Sequence, residues 1–376
     1  MGIKIGINAA FMHENPTGLG VYTHELLGEL LKMDCGYEFV VYTSSGLFRR
    51  AHSRCPHSIL PISPNTSPAL KFRGHLQRFA WESAVLPLRA KKSGASLVYS
   101  TVPEGMLYPL MKQIITVHDI LPARYPDIYT RMKYHFYWML PVLLRNSSAI
   151  ICPSESTKKD VLEYYGIKDK PVYVIYEGIN GQRFYPREKG KIQKCYGFKD
   201  YLLYVGDMRP YKNLERALAA FATLDLKGVR FVICGKKDPR FYPGIEKKAL
   251  ELSLGDRVVF PGYVPEDDLP HLYSEALAFV FPSLHEGFGL PPLEAMACGC
   301  PVIASRAASV PEVCGEAACY ADPHSVEDIA QGMHRVIADG GFRQNLIQKG
   351  LARARLFTWE KSAREHLKVF GDVLAR

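Results

Sequence analysis

The run His285-Glu286-Gly287-Phe288-Gly289-Leu290-Pro291-Pro292-Leu293-Glu294-Ala295-Met296-Ala297-Cys298-Gly299 places two carboxylates eight residues apart in a frame of glycines and prolines. It follows an apolar, strand-like stretch and leads into a helical one. Gly287 and Gly289 let the backbone approach a ligand and can adopt positive φ. Amides at the start of the helix would face an anion such as a diphosphate. Glu286 precedes the helix and Glu294 lies in its first turns, so the two acids can touch different parts of one extended ligand. A histidine, His118, follows another apolar run and is trailed by Asp119. A lone histidine there is more often structural than catalytic, so its role depends on what surrounds it.

These residues need a scaffold that ends strands where chemistry begins. Apolar runs rich in β-branched and aromatic residues recur at 4–8, 38–43, 97–99, 114–118 and 149–151, and again at 202–205, 230–234, 258–260, 278–281 and 302–304. Continuous apolar strands separated by helical stretches predict parallel sheets covered on both faces. Ser154 or Ser156 caps a helix that Gly166 ends, and another begins after Asn213, with Leu214, Ala217, Leu218 and Phe221 at helical spacing. The pattern predicts an α/β fold of two tandem Rossmann-like, doubly wound domains. The joint falls at 178–194, where Gly181, Pro186 and Gly190 interrupt it. Ligands bind outside the carboxyl ends of such strands, so two units facing each other would form a cleft.

The Glu286–Glu294 segment resembles the E-x7-E signature of the retaining family-4 glycosyltransferases, which have the two-domain GT-B fold. Gly206-Asp207-Met208-Arg209-Pro210-Tyr211-Lys212-Asn213 resembles the loop after the first strand of that family's C-terminal domain. Gly262-Tyr263-Val264, with Leu269 and Tyr273, resembles its nucleobase segment. Thr17-Gly18-Leu19-Gly20-Val21-Tyr22 and Thr116-Val117-His118-Asp119 are similar to N-terminal family patterns. The resemblance implies an N-terminal acceptor-side domain (1–185), a C-terminal nucleotide-sugar domain (186–355) and a terminal helix (356–376) packing back on the first.

Roles follow from the resemblance, position by position. Glu286 would bind hydroxyls of the donor sugar, and the amides of Phe288, Gly289 and Leu290 the sugar and diphosphate. Glu294 would hold the ribose, with Tyr263 and Val264 framing the base. Lys212 would neutralise the diphosphate, a task suited to an ammonium point charge. Gly18 and Gly20 would leave room for the diphosphate, and His118 would contact the reacting sugar. Many relatives carry an arginine where this chain has Asp207, and Arg209 is the nearest replacement. The loop His118-Asp119-Ile120-Leu121-Pro122 is similar to bacterial enzymes of surface-polysaccharide assembly, many of them mannosyltransferases. GDP-mannose is therefore the expected donor, with a UDP-sugar as the alternative, and a glycan or lipid-linked saccharide the acceptor.

Rival classes fit less well. A glycosidase needs its two carboxyls on either side of the scissile bond, which one strand-to-helix segment does not provide. A dinucleotide-dependent dehydrogenase needs a third glycine and a ribose acid after Gly18-Leu19-Gly20, and both are missing. A nucleotide-sugar-binding protein without turnover would require loss of site residues that are present here. No i,i+2 pair of aspartates occurs, so neither a metal nor another cofactor is expected.

Composition sets the remaining bounds. A chain of 376 residues, 47% apolar and 23% charged, accommodates two globular domains. No apolar run approaches the length of a membrane span, and the start lacks the plan of a signal peptide. Nine cysteines without a CxxC suggest reduced thiols, Cys298 and Cys300 serving as small buried side chains, and a cytoplasmic location. The net charge is +9, and residues 49–92 hold Arg49, Arg50, Arg54, Lys71, Arg73, Arg78, Arg89, Lys91 and Lys92 against the single acid Glu82. With Phe48, Leu70, Phe72, Phe79, Trp81, Leu86 and Leu88, the stretch is expected to meet an anionic membrane surface or a phosphorylated acceptor. Nucleic acid is not expected, because no nucleic-acid-binding motif is present.

Overall fold

In the computed structural model, which describes residues 2–12 and 18–376, the chain forms two units, Met1–Gly178 with Trp359–Arg376, and Ile179–Thr358. The first unit contains strands β1 Ile3–Ala9, β2 Tyr37–Thr43, β3 Ser58–Pro61, β4 Ala95–Ser100, β5 Lys112–Thr116, β6 Ala149–Cys152 and β7 Val172–Val174. They make one parallel sheet in the order β3-β2-β1-β4-β5-β6-β7.

Period-two alternation explains why both faces are covered. Phe39, Val41, Ile114 and Ile151 point to one face, where they pack with Leu26 and Leu30 of the helix Leu19–Leu30 and with Trp359, Val369 and Phe370 of the helix Trp359–Ala375. Val40, Tyr42 and Val98 point to the other, against Leu86 and Ala90 of the helix Leu86–Ser93. Ile115 and Ile150 on that second face meet Leu140 and Leu144. Each large apolar side chain buried in this way contributes about 1.5–3 kcal/mol.

The second unit contains β8 Tyr201–Val205, β9 Arg230–Cys234, β10 Val258–Gly262, β11 Ala278–Phe281, β12 Val302–Ser305 and β13 Ala318–Ala321. They form a parallel sheet in the order β10-β9-β8-β11-β12-β13. Leu202, Tyr204, Phe231 and Ile233 pack against Leu214, Ala217, Leu218 and Phe221 of the helix Leu214–Ala222, which is the spacing expected from the sequence.

Several sequence expectations need correction. Units divide after Gly178 and rejoin at Trp359, so residues 179–185 and 356–358 belong with the second unit. The cause is local. Ile179 N donates to the Phe357 carbonyl at 3.1 Å, and the Phe184 ring meets Tyr273 at 6.3 Å. The strand read at 114–118 ends at Thr116, leaving His118 on the following loop.

The stretch 49–92 is not a uniform basic-apolar surface. Phe48, Trp81 and Leu86 are core residues. Arg78 is buried, its Nε donating to Glu104 Oε2 at 2.7 Å and its second terminal nitrogen to Oε1 at 3.0 Å. Thr17 and the side chains of Lys71 and Phe72 lie outside the described residues. The nine cysteines are unpaired, with Cys298 and Cys300 buried. Among the described residues, no helix is long and apolar enough to cross a membrane.

Candidate active site

The order of the second sheet fixes where its ligand site should be. Strand β8 leads to β9 and β10 on one side, while β11, β12 and β13 lie on the other. The loops leaving β8 and β11 therefore diverge at a topological switch point, the crevice in which doubly wound sheets bind ligands. Lys212 is on the first loop and Glu286 on the second. Lys212 Nζ donates to Glu286 Oε1 at 2.8 Å and Oε2 at 3.0 Å, with the two side chains 13% and 11% exposed. The ammonium also lies 5.4 Å from the Tyr211 ring centroid and 5.6 Å from that of Phe281.

Two residues that sequence reasoning left without a site role hold these loops in register. Asn213 has φ 62, and its side-chain nitrogen donates to the carbonyls of Pro282 at 3.0 Å and Pro323 at 2.7 Å. It thereby ties the β8 loop to the start of the β11 loop, helped by Leu284 N donating to Tyr211 O at 2.7 Å. Asparagine tolerates that left-handed conformation better than most residues. Ser309 Oγ, fully buried, lies 3.0 Å from the Glu286 carbonyl and 2.7 Å from that of Phe288. No local pattern advertises Ser309, whose partners are more than 20 residues away.

The helix Leu290–Ala297 starts one residue after Gly289, whose φ of 119° requires a glycine. Gly287, expected to share that freedom, is not in a positive-φ conformation. Pro291 and Pro292 lack N–H groups, so the helix start offers fewer amides than a generic one. Phe288, Gly289 and Leu290, whose amides the family resemblance implies for the sugar and diphosphate, keep their N–H groups on this approach.

Glu294 projects from this helix toward Tyr273 on the helix Leu269–Glu275, and the Tyr273 hydroxyl donates to Glu294 Oε2 at 2.9 Å. Burial pushes the Glu294 carboxyl up to about 7, against the hydrogen bond from Tyr273 and the charge of Arg183, which favour ionisation. Val264 is buried, whereas the Tyr263 side chain is 67% exposed just after Gly262 turns at φ 80. Arg209 is paired: it donates to Asp207 Oδ2 at 2.5 Å and to the Tyr211 hydroxyl at 3.3 Å. Asp207 thus both departs from the family pattern and offsets the cation nearest to it.

The first unit gathers a separate set of groups at the carboxyl edge of its own sheet. Gly18, with φ 50, precedes the helix Leu19–Leu30, and Gly20 is buried in its first turn. His118 follows β5 and is buried beside Tyr22, whose ring meets it edge-on with centroids 4.4 Å apart. Its Nδ1 lies 3.2 Å from Glu177 Oε1 and its Nε2 2.9 Å from the Thr101 carbonyl oxygen. Tyr22, Glu177 and the C-terminal His366 were not foreseen as neighbours of His118.

Comparison with known proteins agrees with this geometry. Residues 16–183 match the family described as Glycosyltransferase Family 4, and residues 187–353 match Glycosyl transferases group 1. The chain is 29% identical over 379 residues to O-antigen chain mannosyltransferase B of Escherichia coli, covering 94% of this chain and 96% of that protein. It is 32% identical over 216 residues to O-antigen chain mannosyltransferase RfbU of Salmonella typhimurium, covering 57% of this chain and 58% of that one. The fold superposes on a sucrose-phosphate synthase from Thermosynechococcus elongatus with a TM-score of 0.74 at 22% identity, covering 99% of each chain. With both halves matched and both sheets of the required topology, the chain belongs to the GT-B glycosyltransferases, with a family-4 N-terminal region and a group 1 C-terminal region, and so to the hexosyltransferases.

Proposed function

We propose that this transferase moves mannose from GDP-mannose to a glycan or lipid-linked saccharide, with retention of anomeric configuration and without a metal ion. The observation that carries the reading is the Lys212–Glu286 pair at the switch point of the second sheet. An ammonium held by a carboxylate can share its charge with an arriving diphosphate while the carboxylate turns to sugar hydroxyls. As the anomeric carbon–oxygen bond to the diphosphate breaks, negative charge grows on the leaving oxygen. Lys212 and the amides of Phe288, Gly289 and Leu290 are placed to stabilise it. The acceptor oxygen bonds to the anomeric carbon on the face that the phosphate leaves, and its proton passes to the departing phosphate oxygen. The mannosyltransferase names of the relatives support the sugar, and the lack of a paired-aspartate motif supports metal independence.

Ligand screening checks the donor. GDP at about 100 times its Kd should stabilise the protein by about 2.7 kcal/mol, with UDP and ADP giving much smaller shifts in Tm. GDP-mannose should then yield a mannosylated product whose formation survives EDTA. Stabilisation by UDP alone, or complete loss of product with EDTA, would overturn the assignment of base or of metal independence.

The acceptor side is read as a membrane-facing surface. Leu76, Ala80, Ala84 and Leu88 form an exposed stripe at four-residue spacing, flanked by exposed Arg73, Lys91 and Lys92. Leu88 is 63% exposed, and on a neighbouring helical segment Tyr134 and Trp138, 57% and 67% exposed, repeat the spacing. The His75 and His135 rings, 5.4 Å apart, place the two segments side by side. Apolar side chains beside cations suit an anionic lipid surface, each cation contributing about 1 kcal/mol at most. The protein should sediment with anionic liposomes at low salt and be released at high salt. Equal, negligible binding to neutral and anionic vesicles would leave the stripe as an ordinary solvated face.

A further inference from the structure

The second unit has a cavity that its active-site crevice does not use. It measures about 330 Å³, within the range of small-molecule sites, and lies where β11 and β12 begin, beside Leu277 and Pro301. Glu286 follows the opposite end of β11, so a four-residue strand, about 13 Å long, separates the two places.

Three cations line this cavity, Arg187, Lys189 and Arg343, and no carboxylate does. Arg343 shares one face of the helix Gly340–Ala354 with the apolar Ile347 and Leu351, at four-residue spacing. The partners of both guanidinium groups are neutral. Arg343 donates to the Ile337 carbonyl at 3.0 Å, and Arg187 to the Arg183 carbonyl at 3.1 Å and to the Tyr185 hydroxyl. Arg187 Nε is buried and meets no acceptor among the described residues. A buried donor left unpaired is costly, and an anion in the cavity would relieve that cost.

Helix ends offset only part of this charge. The carboxyl ends of Leu269–Glu275 and Leu290–Ala297 reach the cavity at Ser274 and Cys298, and together place roughly one negative charge there. Roughly two of the three positive charges remain. Glu275, beside Ser274 in sequence, is engaged elsewhere, accepting from Gly190 N at 2.8 Å and Ile192 N at 3.1 Å. The wall has one hydroxyl, that of Ser274, which accepts from Arg187 N at 3.0 Å and donates to the Pro270 carbonyl at 2.8 Å. A ligand rich in hydroxyls would leave them unpaired against the apolar side chains, whereas an aliphatic body would not.

We propose that this cavity is a second ligand site, separate from the nucleotide crevice, for an organic phosphate whose anionic head meets Arg187, Lys189 and Arg343 and whose aliphatic body lies against Ile347 and Leu351. The site does not depend on which nucleotide sugar the crevice takes.

Calorimetric titration of the full chain with hexyl phosphate tests it. Hexyl phosphate should bind saturably, and inorganic phosphate and hexanol should each bind about 10-fold more weakly or worse. Lys189→Glu, at an exposed position that the fold does not need, and Arg187→Gln should each raise the Kd for hexyl phosphate by about 10-fold or more. Lys212→Ala, in the crevice, should leave that Kd within about threefold of wild type. Displacement of hexyl phosphate by phosphatidic-acid vesicles would assign the phosphate to a lipid, and its retention to a free metabolite, the same cations holding either. No saturable binding of hexyl phosphate, or binding that Lys212→Ala abolishes and Lys189→Glu leaves intact, would overturn the proposal. Inorganic phosphate binding as tightly as hexyl phosphate would overturn the aliphatic body.

Discussion

Lys212→Ala is expected to lower kcat by about 100- to 1000-fold, corresponding to about 3–4 kcal/mol. The lost ammonium has two jobs that can be separated. In the unliganded protein it donates to both oxygens of Glu286, in a setting where the side chains are 13% and 11% exposed. Removing one member of such a pair leaves an uncompensated, poorly hydrated charge, at a cost of about 3–5 kcal/mol. The second unit of Lys212→Ala should therefore unfold at a lower temperature than wild type. During transfer the same ammonium would face the diphosphate as its charge grows, and that loss appears in kcat. A Lys212→Ala/Glu286→Ala double variant distinguishes the two. It should recover much of the stability, because no buried charge is left alone, and recover none of the turnover. Arg209→Ala should cost far less in turnover, because Asp207 already engages that guanidinium. Steady-state kinetics and thermal unfolding of these variants check the expectation, and a fully active Lys212→Ala enzyme would remove the support for the leaving-group reading.

The part of this site that was legible in the sequence is the part that depends on chain order. Apolar runs of three to six residues marked the central strands, and the loops after them necessarily carry whatever chemistry a doubly wound sheet offers. Lys212, Glu286, Glu294 and His118 could be named on that basis and from family likeness. Their partners could not. Lys212 meets Glu286 across 74 residues of sequence, and Tyr22 meets His366 across 344. No local periodicity encodes such encounters.

The strands that escaped notice are β3, β7 and β13, which are four, three and four residues long and end or begin a sheet. An edge strand packs fewer neighbours, so its apolar pattern is weaker: β7 is only partly buried throughout. The basic stretch misled for a related reason. A five-residue π-helical turn at Trp81–Val85 shifts the helical phase between Lys71–Ala80 and Leu86–Ser93, so residues that look like one exposed face are divided between core and surface. Arg78 could be buried because Glu104, on a loop after β4, supplies two hydrogen bonds that composition alone cannot predict.

Glu294→Gln is expected to stabilise the protein at pH 8 while weakening its grip on nucleotide. Burial raises the Glu294 carboxyl from the ordinary glutamate range to about 7, so ionising it costs free energy in the native state. The sign follows from proton counting. Between about pH 4.5 and 7 the native protein binds more protons at this site than the unfolded chain does, so stability falls as pH rises through that window. Above pH 7 the full penalty persists. It amounts to at most about 3 kcal/mol and is reduced by the part of the side chain that reaches solvent. A neutral glutamine of the same shape still accepts from the Tyr273 hydroxyl, 2.9 Å from Oε2 in the native protein, but carries no charge to desolvate. The expected gain is about 1–3 kcal/mol at pH 8, roughly 2–12 °C in Tm for a unit of this size, shrinking to nothing near pH 4.5. The ribose, in the proposed complex, loses a charged acceptor worth about 1.5–3 kcal/mol, so nucleotide affinity should fall by about 10- to 100-fold. On the proposed reading, a carboxylate kept partly protonated until a ligand arrives is maintained at the expense of stability. Thermal unfolding at pH 5 and pH 8, with calorimetric titration of GDP, reads both effects. An unchanged or lower Tm at pH 8 would mean that Glu294 is ionised without strain in the native protein, and a stabilised variant with intact nucleotide affinity would remove Glu294 from the ribose.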